Sequence, residues 1–300
     1  VIDVGGMSTA PYLETLVPPE EEEKRVVEAI RALSDSLDLP ISVDTQRASV
    51  ARAALEAGAK IVHAVTGLKG DPDMAAVVAE YGASAVICAH GKVTDPRDPV
   101  PEARRLLRES LELADGAGIP LDKVVVDPAV GFFRDTGIPW YQWDTAVISG
   151  VGRLGVLSRP VLIGASRKSF IGAIAGVERP EDRLPGSLAA AAVAVFAGAH
   201  AIRTHDVPET FQAVRIAEAL RRKPRYERRG SCEGVELRGL VEADLRELML
   251  DIGVHPGGAD IMARKGVHRV ILLRNVANPV AQIVKQELLA VGGDAALPAA

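Results

Sequence analysis

The sequence predicts an α/β fold, specifically a (β/α)8 barrel, on three observations. Short runs of Val, Ile and Ala alternate with longer helical patterns from the first residue to about residue 222. The runs are apolar throughout rather than alternating, as parallel strands covered on both faces require. Polar and titratable residues gather where each run stops, and in a barrel those carboxyl ends converge on one mouth. An open, doubly wound sheet explains bare alternation equally well, but no Gly-rich dinucleotide fingerprint follows any run.

In chain order, the strand candidates are residues 1–4, 41–44, 60–65, 84–89, 123–127, 160–165 and 201–204, each a continuous apolar run. Helical patterns fill 19–37, 47–57, 72–80, 102–117, 186–198 and 208–222. The first of these opens on Pro19 and then Glu20, Glu21, Glu22 and Glu23, which matches the positive end of the helix dipole. Seven strands are visible where a closed barrel has eight, so one is expected to be missing. Because the chain opens with Val1 inside a strand pattern, that strand is expected upstream.

The pattern changes after the barrel, which is assigned residues 1–222. The basic, Pro-broken run RRKPRYERRG begins at Arg221, and residues 223–234 are expected to be a linker. Residues 235–300 read as a small α/β extension. Leu237, Leu240, Val241, Leu245, Leu248, Met249 and Ile252 mark an amphipathic helix, a strand-like run covers 268–273, and Val280, Ile283, Val284 and Leu288 mark a last helix.

Composition narrows the partners. A chain of 300 residues, 48% hydrophobic with a net charge of −5, has a sizeable core and no global field to attract nucleic acid or an anionic membrane. Small molecules are the expected partners. Residues 188–199, the most apolar stretch, fall far short of the roughly 20 residues a membrane span needs. Two cysteines, Cys88 and Cys232, form neither a disulfide framework nor a zinc ribbon, so the cytoplasm is the expected compartment and Cys88 reads as a small core residue.

Chemistry is carried by residues at the strand ends. Asp44 closes the run ISVD and Asp127 closes VVVD. A carboxylate placed there is costly unless it meets donors, and two together suit a grip on an amidine-like heterocycle edge, with a cap or loop anchor as the alternative for either. Lys168, in GASRKSFIG, is either a solvated charge or a donor to a ligand carbonyl. Arg203 and His205 in IRTHD point the same way from the last strand and suit an anion clamp for phosphate or pyrophosphate, or else a salt-bridged core pair. Thr9 offers a hydroxyl to the same anion. His63, His90 and His205 lack zinc-site spacing and read as local hydrogen-bonding residues.

The segments DVGG with STAP, VDT, DPAVGF, GASRKSFIG and RTHDV, in that order over residues 1–222, resemble the dihydropteroate synthase family. The resemblance implies a TIM barrel that condenses 6-hydroxymethyl-7,8-dihydropterin pyrophosphate with p-aminobenzoate or a related arylamine, releasing pyrophosphate, in folate biosynthesis. It implies that Asp44 and Asp127 hold the pterin with His63 beside them and Lys168 on the pterin carbonyl. Arg203, His205 and Thr9 would bind pyrophosphate, and Ser166 and Phe132 would lie toward the arylamine. Mg²⁺ as cofactor and a homodimer are implied in the same way, with the metal ligands unassigned because the family's first strand is not in this chain. The sequence departs from the family pattern at Met7 and Ala10 in the first loop, at His63 and Ala64 where the family has Asn-Asp, and at Phe133 and Arg134 where it has Gly-Lys. These departures leave two further readings: a pterin-dependent methyltransferase barrel and a non-catalytic pterin-binding module.

Overall fold

The computed structural model describes residues 1–8, 17–221, 226–229, 232–235, 237, 239–267 and 278–290. Thr9 and Ala10, the strand-like run 268–273 and the last ten residues lie outside the described residues. In chain order the elements are β1 (Ile2–Gly5), α1 (Pro19–Ser36), β2 (Ile41–Asp44), α2 (Ala48–Glu56), β3 (Ile61–Ala64), α3 (Met74–Glu80), β4 (Ser84–Cys88), α4 (Pro99–Gly116), β5 (Val124–Asp127), α5 (Trp140–Ser149), β6 (Leu162–Gly164), α6 (Ser169–Ala175), α7 (Leu184–Ala197), β7 (Ala201–Arg203) and α8 (Val207–Leu220). A hairpin of β8 (Tyr226–Arg229) and β9 (Cys232–Val235) follows, then α9 (Glu242–Asp251), α10 (Pro256–Lys265) and α11 (Asn278–Ala290).

All seven expected strands form, and they lie side by side in sequence order. Strands β1 to β5 make one parallel sheet and β6 pairs with β7, also in parallel. A parallel bridge from Val126 to Val161 joins the two groups. Among the described residues β7 and β1 share no backbone ladder. Their junction is instead spanned by the Arg203 side chain, whose Nε donates to Asp3 at 2.6 Å. Register fixes the rim: Gly5 pairs with Asp44, Asp44 with His63, Cys88 with Asp127, and Gly164 with Arg203. Asp44 and His63 therefore share one row; Cys88 and Asp127 share another two residues further along and, by the alternation of the strand, point to the same face.

Helix packing follows the spacing of apolar positions. Helix α1 buries Glu22, Val26 and Ile30, and α4 buries Val100, Ala103, Leu106, Leu107, Ser110 and Ala114, each set recurring at three- or four-residue intervals. The latter helix starts earlier than its apolar pattern, at Pro99, because Asp98 accepts the Val100 N–H and proline suits the first helical position. Helices α5 and α6 have no counterpart in the sequence reading. One is short and mixes Trp and Tyr with polar residues, and the other has only seven residues, too few for a period to register.

The chain beyond the barrel differs from expectation in three ways, one being α10, which has no counterpart in the sequence reading. Part of the expected linker is the β8–β9 hairpin, a use of backbone that a basic, Pro-broken composition does not announce. The extension is also docked through charge rather than through apolar contact alone. Fully buried Asp244 on α9 meets Arg104 of α4 at 2.8 Å and Arg153, in the 3-10 segment Val151–Leu157, at 2.7 Å. Arg153 in turn holds Asp98 at 2.6 Å.

Candidate functional site

The strand ends enclose a cavity of about 730 Å³. Every sequence-assigned residue that is described lies on it: Asp44, His63, Asp127, Phe132, Ser166, Lys168, Arg203 and His205 all line the wall. His90 does not, and the fourth strand contributes Cys88 instead. Cys88 is thus a core residue, as expected, that also faces the cavity.

Sharp turns aim the side chains inward. After β5, Ala129 has φ +59° and its N–H donates to Asp127 Oδ1 at 2.7 Å, so the carboxylate holds its own loop with one oxygen. After β6, Arg167 has φ +54° and its N–H donates to Ser187 at 2.8 Å. That turn brings Lys168 across the cavity to donate to the Val130 carbonyl, with its ammonium 5.0 Å from the centre of the Phe132 ring. Gly131, at φ +87°, lies against the Lys168 stem, where a Cβ would meet Cδ at 2.8 Å.

The site alternates acids and bases. Burial alone would raise the Asp3 carboxyl, but the hydrogen bond from His63 and the charges of His63 and Arg203 bring it down to about 2. Asp44 is raised, burial outweighing the attraction of His63 and Arg203, although Arg203 Nη2 donates to it at 2.9 Å. His63 sits between Asp3 (Nδ1 to Oδ2, 3.2 Å) and Cys88 (Nε2 to Sγ, 3.4 Å), with Asp127 Oδ2 at 3.9 Å from Nε2. Burial opposes its charge, yet Cys88, Asp3 and Asp44 hold its pKa well above the usual histidine value. Burial pushes Cys88 up to about 11 and Lys168 down from the ordinary lysine range.

Arg203 is engaged with Asp3 and Asp44, which take two of the five donors of a guanidinium and leave the others open to an anion. His205 meets Ser166 at 2.9 Å. Phe133, a bulky ring in place of the family's glycine, turns away from the cavity and packs on Trp143 with centroids 4.9 Å apart. Arg134 remains on the cavity wall, stacked on Trp140 at 4.1 Å and donating to Ser169 at 2.6 Å.

Sequence reasoning missed Asp3, Cys88 and Asp144. Asp3 was legible as the one charged residue in an apolar first strand, and Cys88 as the last residue of a strand whose neighbours end in His63-Ala64 and Asp127. Asp144 had no signal, because its role depends on α5: from there it accepts the Gly131 N–H at 2.7 Å.

A barrel mouth that offers paired carboxylates, a desolvated lysine and an arginine–histidine pair defines a small-molecule enzyme site of the heterocycle-plus-anion kind. The family model described as "Pterin binding enzyme" matches residues 1–205, and the chain belongs to that family, among the dihydropteroate synthases. It is 35% identical over 227 residues to the dihydropteroate synthase of Synechocystis, spanning 73% of this chain and 76% of that protein. With a protein of Halobacterium salinarum called a probable bifunctional folylpolyglutamate synthase/dihydropteroate synthase it is 41% identical over 74% of this chain and 27% of that protein. Among solved structures, a Clostridium difficile dihydropteroate synthase determined with pteroic acid superposes with a TM-score of 0.68 at 37% identity, covering 74% of this chain and 82% of that one. The Xanthomonas albilineans enzyme in complex with 7,8-dihydropteroate gives 0.64 at 36% identity, over 73% and 78% of the two chains.

Proposed function

We propose that this chain is a dihydropteroate synthase: it joins the methylene of 6-hydroxymethyl-7,8-dihydropterin pyrophosphate to the amine of p-aminobenzoate or a related arylamine, releasing pyrophosphate. The observation that carries this reading is the meeting of Asp44, Asp127, Lys168, Arg203 and His205 on one cavity wall in a member of this family.

The residues divide the work. Asp127, with one oxygen fixed by Ala129, offers Oδ2 to the 2-amino and ring N–H edge of the pterin. Lys168 reaches the pterin carbonyl by exchanging its bond to Val130. The amine nitrogen attacks the methylene carbon as the carbon–oxygen bond breaks; the bonding pair leaves with pyrophosphate and the amine proton passes to solvent. Positive charge that develops on the pterin is stabilised by Asp44, and negative charge on the leaving group by Arg203 and His205. Ser166 and Phe132 face the arylamine side.

Mg²⁺ fits at Asp3 and Asp44, where one carboxylate oxygen of each is buried without a partner and two hard donors leave room for water and phosphate oxygens. When bound it would supply charge neutralisation to the pyrophosphate. A homodimer suits the outer helices, since Val193, Phe196, Phe211, Ile216 and Leu220 on α7 and α8 are each half or more exposed. No described helix is long and apolar enough to cross a membrane, and cytoplasmic placement rests on the cysteine usage.

The test is pyrophosphate release from the pterin pyrophosphate on adding p-aminobenzoate. Release that requires the arylamine, and falls at least 100-fold in Lys168→Met, supports the reading. Tight pterin binding by calorimetry without release from any arylamine would replace it with the non-catalytic module.

A further inference from the structure

We propose that His63, Cys88 and Asp127 form a binding site for a soft divalent cation of the Zn²⁺ class on the floor of the cavity. The three residues come from the adjacent strand ends of β3, β4 and β5, and all three line the cavity. Their ligand atoms lie within 4.8 Å of one another, with His63 Nε2 at 3.4 Å from Cys88 Sγ and 3.9 Å from Asp127 Oδ2. Bond lengths of about 2.0 Å to nitrogen or oxygen and about 2.3 Å to sulfur, at tetrahedral angles, require separations of roughly 3.3 to 3.6 Å. The His63–Cys88 edge therefore already matches a tetrahedral face, and the His63–Asp127 edge has to close by about 0.6 Å, which a rotation of the Asp127 carboxylate supplies.

The surroundings support ligation. The other nitrogen of His63 meets Asp3 Oδ2 at 3.2 Å, which orients the ring with Nε2 toward the site as carboxylate–histidine–metal triads do. The other oxygen of Asp127 is fixed by the Ala129 N–H at 2.7 Å. A thiolate and a carboxylate together neutralise a dication, so the filled site carries no net charge into a buried floor. Sulfur and imidazole also select Zn²⁺ over Mg²⁺, which separates this site from the all-oxygen pair of Asp3 and Asp44. Three protein ligands leave the fourth position to water or a ligand heteroatom from the cavity.

The site does not depend on the condensation reading, but it meets it at one atom. Asp127 Oδ2 cannot serve both the cation and the pterin edge, so the two compete.

The experiment titrates the full chain, treated with chelator and reductant and free of pterin, with Co²⁺. The expected result is saturation at one equivalent, with a sulfur-to-cobalt charge-transfer band and the intense visible bands of tetrahedral Co²⁺, both removed by Zn²⁺. Cys88→Ser should abolish the charge-transfer band and weaken binding at least tenfold, and Asp3→Asn should weaken it by about 10- to 100-fold. His63→Asn, which installs the side chain the family pattern carries there, keeps the test decisive if Cys88→Ser folds poorly. Absence of the band at one equivalent, or unchanged binding in His63→Asn, overturns the proposal. A pterin that displaces Co²⁺ links the site to the condensation reading, and the spectrum of the ligand-free chain stands whether or not turnover is found.

Discussion

At the scale of single residues, the most informative side chain outside the cavity is Asp144. It is fully buried, Oδ1 accepts the Gly131 N–H, Oδ2 has no partner, and burial raises its pKa to about 6 against the weaker pull of Lys168 and Arg134. Between the unfolded value of 3.8 and about 6 the folded chain holds a proton that the unfolded chain has lost, so stability falls as pH rises through that window. Asp144→Asn keeps an acceptor for Gly131 and removes the titration. The variant should therefore gain on the wild type by about 2 to 3 kcal/mol between pH 4 and pH 7, read from urea unfolding at each pH. Parallel curves for the two proteins would mean that Asp144 does not ionise in this range. The same residue marks a limit of sequence reading. Asp44 and Asp127 were legible because strand ends announce themselves, whereas Asp144 acts on a loop thirteen residues away through the fold of α5.

At the scale of elements, the cavity is set by strand register and the periphery by helix faces. Register was implicit in the apolar runs, since each ends within a residue or two of a polar side chain, but the docking of α9 was not. Its apolar stripe was visible, while the buried pairing of Asp244 with Arg104 and Arg153 joins residues far apart in sequence. Removing Asp244 takes a buried carboxylate from Arg104 and Arg153, which keep Glu247 and Asp98 as partners, so the cost falls at or below the low end of the about 3 to 5 kcal/mol for breaking a buried pair on one side. Asp244→Ala should release α9 from α4, seen as faster amide exchange confined to α9 and α10 while β1 to β7 keep their protection. Uniform acceleration across the barrel would instead make the extension part of one cooperative unit. Phe211 is 62% exposed on α8, and Phe196 is 59% exposed on α7, the helix packed against it. A charge there should not disturb the core, so Phe211→Asp should convert the proposed dimer to a monomer in light scattering with an unchanged melting midpoint. A wild-type chain that is monomeric at the same concentration would exclude these helices as the interface.

At the scale of the whole molecule the strand ends are coupled by charge as well as by backbone. Among the described residues five barrel strands form one ladder, two form another, and one bridge joins them. Across the remaining junction, Arg203 of β7 reaches Asp3 of β1 and Asp44 of β2. The order of the strands was readable from alternation together with the polar residues at the strand ends; how the last meets the first was not, because it depends on side chains two hundred residues apart. This arrangement makes a physical demand on ligand binding. In the proposed reading a pterin with pyrophosphate would contact Asp127 on β5, Lys168 after β6, and Arg203 between β7 and β1, and so would tie together strands that share few backbone bonds. At a free ligand concentration 100 times the dissociation constant, linkage stabilises the folded state by about 2.7 kcal/mol. That stabilisation should appear as slowed amide exchange at the carboxyl ends of β1, β6 and β7 together, the weakly laddered side of the barrel, in the presence of a pterin and pyrophosphate. Slowing confined to β3, β4 and β5 would show that the ligand rests on the continuous sheet alone, and that Arg203 serves the fold without serving the anion.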